Sequence, residues 1–65
     1  MKLNAKTKNT VAIGTILIDT ASRYIVTNLW NCGRSIYITL TDTTTHKNIY
    51  GLSISSCYGM EIKGA

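Results

Sequence analysis

The chain contains no proline and no phenylalanine, one histidine, two cysteines and three carboxylates among its 65 residues. Each shortage narrows what it can be. Cys32 and Cys57 fall far short of the cysteine framework that staples small secreted scaffolds. One disulfide between them is arithmetically open, but free thiols in a reducing, cytoplasmic setting are expected. Neither cysteine belongs to a close C-x₂₋₄-C pair, and with His46 they supply at most three soft ligands, so no metal centre and no cofactor is expected. The carboxylates are Asp19, Asp42 and Glu61. Asp42 and His46 share one polar loop, DTTTH, but a catalytic array needs a rigid pocket that a hairpin tip does not supply. The expectation is a protein that is not an enzyme. Glycines 14, 33, 51, 59 and 64 are scattered, with no GK[ST] or GxGxxG among them, so no phosphate-cradling loop is present.

A long hydrophobic run is also missing. VAIGTILI is far below the roughly 20 residues that a membrane-spanning helix requires. It follows a basic stretch, as a signal peptide would, but TAS is a poor cleavage site, and removal would leave too little chain for a stable core. No membrane association is expected.

What is present favours β structure. Hydrophobic residues make up 45% of the chain and charged residues only 15%, with isoleucine and threonine prominent. β-Branched side chains lose freedom in helices and fit pleated sheets. The organising stretch runs from Ser22 to Thr41: SRYIVTNLW, a turn at NCGR, then SIYITLT. In its second arm Ile36, Ile38 and Leu40 alternate with Ser35, Tyr37, Thr39 and Thr41, the period of a half-buried strand. In its first arm Tyr24, Val26 and Trp30 share one side by simple alternation, and Ile25, Thr27 and Leu29 the other. Both sides carry apolar groups, so one needs cover beyond the main core.

In chain order, residues 1–9 read as a mobile arm or an edge strand that forms only in part. A single domain spans residues 10–63. Strands are expected over Val11–Asp19, with Gly14 marking a bulge or bend, then Arg23–Trp30, Ser35–Thr41, Lys47–Ser53 and a short closing strand around Met60 and Ile62. Ser55–Tyr58 breaks the pattern as a tight turn, with one turn of 3₁₀ helix. The expected core is Val11, Ile16, Ile18, Ile25, Ile36, Ile38, Leu40, Leu52, Ile54, Met60 and Ile62. Parity is least defined in the first strand, where Ile16, Leu17 and Ile18 run consecutively.

Five short hairpin-linked strands with a one-turn element before the last resemble the SH3-like small barrel, an all-β fold. Within it, the run VAIGTILIDTASRYIVTNLW resembles the opening of KOW and Tudor-like barrels. The likeness covers Val11 to Ile62. The chain departs from the KOW pattern at SRY, where a glycine-rich turn would stand. Its brevity and Thr/Asn/Ile/Lys-rich usage also resemble small accessory proteins of bacteriophages.

The net charge is +4, with a pI near 9.3. Lys2, Lys6 and Lys8 contribute from the N-terminal segment and leave the body weakly positive. Arg23, Trp30, Arg34, Tyr37, Lys47 and Tyr50 interleave cations with aromatic rings on or beside the central hairpin. That mixture suits single-stranded nucleic acid, where cations neutralise phosphates and rings stack bases. The same residue types dominate protein interfaces, so docking on a host protein is the competing expectation. Trp30 and Tyr24 also suit a plainer role, capping the open end of a barrel. Small size makes a homo-oligomer built by edge-strand pairing a third reading.

Overall fold

The computed structural model describes residues 1–63. They form one five-stranded antiparallel sheet: β1 (Ile16–Asp19), β2 (Ser22–Cys32), β3 (Ser35–Asp42), β4 (Asn48–Ser53) and β5 (Glu61–Lys63). The strand order is β4-β3-β2-β1-β5. The first four strands make a meander, and the chain then crosses through a 3₁₀ turn, Ile54–Cys57, to lay β5 beside β1. β4 and β5 do not pair, so the sheet is curled and not closed.

Local chemistry accounts for the reversals. Asp19 pairs with Ser22 across the two-residue turn Thr20–Ala21. Cys32 pairs with Ser35 across Gly33–Arg34, with Gly33 at φ +62, where a side chain would be strained. After β3, the Asp42 carboxylate accepts the backbone N–H groups of Thr44 and Thr45 at 2.8 and 3.1 Å, closing the DTTTH loop on itself.

Two bulges set the curvature, and both lie at the level of Thr39. Val26 pairs with Leu40 and Leu29 with Ile38, so β2 uses three steps where β3 uses two. On the other side, Leu40 pairs with Ile49 and Ile38 with Leu52, the same mismatch. An extra residue bends a strand and sharpens its twist. Here both neighbours of β3 bend at one level, wrapping the sheet around its apolar side.

The core consists of Leu3, Val11, Leu17, Val26, Ile38, Leu40, Ile54 and Cys57, with Tyr24, Leu29, Ile36, Leu52, Met60 and Ile62 packed around it. Two expectations are corrected. In β1 the inward residue is Leu17, fully buried, while Ile16 and Ile18 turn outward and remain half-buried. Registration with Tyr24 and Ile62 places Leu17 on the core side. In β2, simple alternation fails at the Thr27–Asn28 bulge. Tyr24, Val26 and Leu29 face inward, and Ile25 and Trp30 face outward.

The first strand is also shorter than expected. Over Val11–Thr15 the backbone turns instead of extending: Thr15 N–H donates to the Ala12 carbonyl at 3.0 Å, and Ala12 N–H donates to Thr15 Oγ1 at 3.0 Å. Gly14, at φ 96, takes a conformation that other residues rarely adopt.

Residues 1–3 run alongside β5. Leu3 N–H donates to Met60 O and Ile62 N–H to Met1 O, at 2.8 and 2.7 Å, and the Leu3 side chain is fully buried. The Met1 amino group bonds the Glu61 carboxylate, which holds that carboxyl below the usual glutamate range. Asn4 to Thr10 then folds through turns, with Asn4 Oδ1 accepting the N–H groups of Lys6 and Thr7 at 2.8 and 3.1 Å.

The two cysteines are free and differ sharply in setting. Cys32 is exposed at the end of β2, and Cys57 is 2% exposed in the core. Burial raises the Cys57 pKa, and the negative charge of Asp19 raises it further. Thiolate is the reactive form, so a disulfide reagent at neutral pH is expected to modify Cys32 promptly and Cys57 only after denaturant is added. Prompt reaction of both would show that the Ile54–Cys57 turn does not pack as described.

Candidate functional site

The curl gives the sheet two unlike faces. The inner face holds the core, and the 3₁₀ turn Ile54–Cys57 packs on β3 and β4 from that side. The outer face is crossed by no described helix or strand. Register assigns its residues: Ile16 and Ile18 from β1, Arg23, Ile25 and Trp30 from β2, Tyr37, Thr39 and Thr41 from β3, and Asn48 and Ser53 from β4. Glu61 and Lys63 of β5 complete it beside Ile18 and Ile16.

Trp30 and Tyr37 are the best-defined pair on this face. They are direct cross-strand partners, with ring centroids 6.0 Å apart and planes inclined by 19°. An offset stack of this kind contributes about 0.5–1.5 kcal/mol and holds both rings in one orientation. Trp30 remains 38% exposed. Arg34 sits in the two-residue turn that joins their strands, exposed and within a few residues of both rings.

The other candidate residues divide between the far end and the edge. Arg23 and Lys47 are exposed, and both lie where β2 and β3 meet the DTTTH loop. The Arg23 carbonyl accepts the Thr43 N–H at 3.0 Å, and the Lys47 carbonyl accepts the Asp42 N–H at 2.9 Å. Arg23 precedes Trp30 by seven positions on one strand, a separation of roughly 20 Å at the usual rise. Tyr50 lies in the β4 bulge, 76% exposed. A short polar chain steadies it: Thr41 Oγ1 donates to Asn48 Oδ1 at 2.6 Å, and Asn48 Nδ2 donates to Tyr50 Oη at 2.9 Å. The arrangement is therefore a ring pair and one cation at one end, two cations at the other, and a tyrosine at the rim.

Between these ends lies a feature that sequence reasoning placed in the core. Ile16 faces Ile25 directly, with Ile18 next along, forming a half-exposed apolar stripe. Its sequence signals were the consecutive Ile16-Leu17-Ile18, which must put apolar groups on both faces, and the apolar residues on both sides of the arm that carries Ile25. Tyr24, on the same strand as Trp30, packs against the inner core.

Among the described residues no three His, Cys, Asp or Glu side chains gather as a metal site, and no helix is long and apolar enough to cross a membrane. No protein-family model matches this sequence, and comparison with curated proteins and with solved structures gives no match.

Proposed function

We propose that the protein is a non-enzymatic binding module that engages single-stranded nucleic acid across its outer face. The observation that carries this reading is the stacked, part-exposed Trp30–Tyr37 pair beside Arg34. Pre-ordered rings receive a base with little loss of side-chain freedom, and the guanidinium next to them meets the adjoining phosphate. Arg23 and Lys47 extend the positive surface toward the opposite end of the sheet. On the same reading the sheet is a relative of the SH3-like barrel. The four-strand meander, the 3₁₀ turn before β5 and the pairing of β5 with β1 support this. A cytoplasmic setting is part of the proposal and agrees with the free thiols.

Trp30 is the chain's single tryptophan, so its fluorescence reports directly on the site. Titration with short DNA and RNA oligonucleotides at low salt is expected to quench it. With Arg23, Arg34 and Lys47 on phosphates, raising salt from about 50 to 200 mM should weaken binding roughly twentyfold. Trp30→Ala, followed by labelled oligonucleotide anisotropy, should cost about 1–3 kcal/mol, roughly 5-fold to 150-fold in affinity. No quenching and no anisotropy change at low salt would remove the reading.

A second reading has its own observation. The Ile16–Ile18–Ile25 stripe is half-exposed with no described element across it, and β4 is an open edge. Docking of a phage-type inhibitor or adaptor on a host protein would use both. A stoichiometric protein partner retained through high salt and nuclease treatment would favour it over nucleic acid.

A further inference from the structure

The inner side of the molecule carries a recess unrelated to the outer face. It opens where the sheet ends at β4, beside the β1–β2 turn, and has a volume of about 160 Å³. Leu40, Ile49, Leu52 and Met60 form its apolar wall, and Asp19 and Tyr24 also line it. A dry apolar cavity of about 150 Å³ accepts a molecule the size of benzene, so this recess has room for one short aliphatic chain.

Its polar end is the informative part. Among the described residues Asp19 forms no ion pair, and the hydrogen bond its carboxylate accepts comes from Thr20 Oγ1 at 3.3 Å. Asp19 is exposed, so its carboxylate sits hydrated at the mouth of the recess, and none of the seven basic residues forms an ion pair with it. The negative charge is felt inside the recess, because Asp19 acts on the Cys57 thiol that also lines it.

These features select a ligand class. A purely apolar guest gains nothing from the carboxylate, whereas an ammonium group forms a charge-assisted contact with it. An anion would meet like charge. We propose that the recess binds a primary alkylammonium group, with its chain against Leu40, Ile49, Leu52 and Met60 and its nitrogen at the Asp19 carboxylate. The N–H groups donate to Asp19 and Tyr24 Oη as charge-assisted hydrogen bonds. A quaternary ammonium has no N–H to donate and binds less well. The group can arrive as a free aliphatic amine or as a lysine side chain of a polypeptide. The assignment is independent of nucleic-acid binding.

The test is an NMR titration of the intact protein, following the methyl signals of Ile49, Leu52 and Met60. n-Butylammonium is expected to give saturable shifts with a dissociation constant of order 1–10 mM. n-Butanol and tetramethylammonium are expected to bind about tenfold more weakly, as is n-butylammonium to Asp19→Asn. Equal affinity for butanol and butylammonium on the unaltered protein would overturn the proposal without reference to any variant. So would an unchanged affinity in Asp19→Asn, or no saturable shift. A lysine-containing peptide that binds more tightly than n-butylammonium, and loses binding when Nε-acetylated, identifies a polypeptide as the source. A peptide that binds no more tightly points to a free amine.

Discussion

Leu17→Ala is expected to destabilise the protein by about 2–5 kcal/mol, and Ile18→Ala by about 1 kcal/mol. The two residues are neighbours of the same size and differ only in the face they occupy. Leu17 is fully buried between Tyr24 and Ile62, so its truncation leaves a cavity that a 65-residue molecule has little material to collapse into. Ile18 lies between Arg23 and Glu61 on the outer face, half-buried, and its loss is partly compensated by water. Domains of this size sit near the low end of the stability range. A change of 2–5 kcal/mol therefore moves the thermal midpoint by about 10–30 °C or leaves the chain largely unfolded. Urea unfolding followed by circular dichroism measures both variants. If Ile18→Ala proved the more damaging, the register of β1 would have to shift by one residue and its faces would exchange.

Leu3→Ala is expected to cost about as much, 2–5 kcal/mol. A free arm would cost almost nothing to alter, so the experiment discriminates cleanly. Leu3 is fully buried, and its backbone is held twice: its N–H donates to Met60 O, and its carbonyl accepts the Gly59 N–H, both at 2.8 Å. Amide exchange provides a second reading. The Leu3 and Gly59 N–H groups should be protected to a degree comparable with β2 and β3, whereas the amide of exposed Ala5, which has no partner among the described residues, should exchange freely. A Leu3→Ala protein with unchanged stability and rapidly exchanging Leu3 and Gly59 amides would detach residues 1–3 from the core.

These two positions also mark where sequence reasoning stopped. The β3 strand was legible because its alternation is clean, and Ile38 and Leu40 are buried as the period requires. The turn at Gly33–Arg34 and the 3₁₀ turn around Ser55 were legible from their residue types. Leu17 was not, because three consecutive apolar residues carry no parity. The outward turn of Trp30 relative to Val26 was not either, because a bulge at Thr27–Asn28 has no composition that distinguishes it from regular strand. Leu3 stands alone among lysines, asparagine and threonine, and one apolar residue makes no pattern. Its burial depends on β5, nearly the whole chain away. For the site, the pairing of Trp30 with Tyr37 follows from the hairpin turn once the turn is placed. The distance of Arg23 from that pair follows from the length of β2, which extends through Cys32.

The bulge in β4 has a consequence for how these molecules behave in crowded solution. β4 is an outermost strand, and such strands recruit copies of themselves into stacked ribbons when they are straight. Gly51, at φ +62, breaks the strand in the middle and leaves only two consecutive pairs on either side of Tyr50 and Gly51. Substituting Gly51 therefore risks more than local strain: a residue that straightened the strand would give concentrated protein a template for fibre growth.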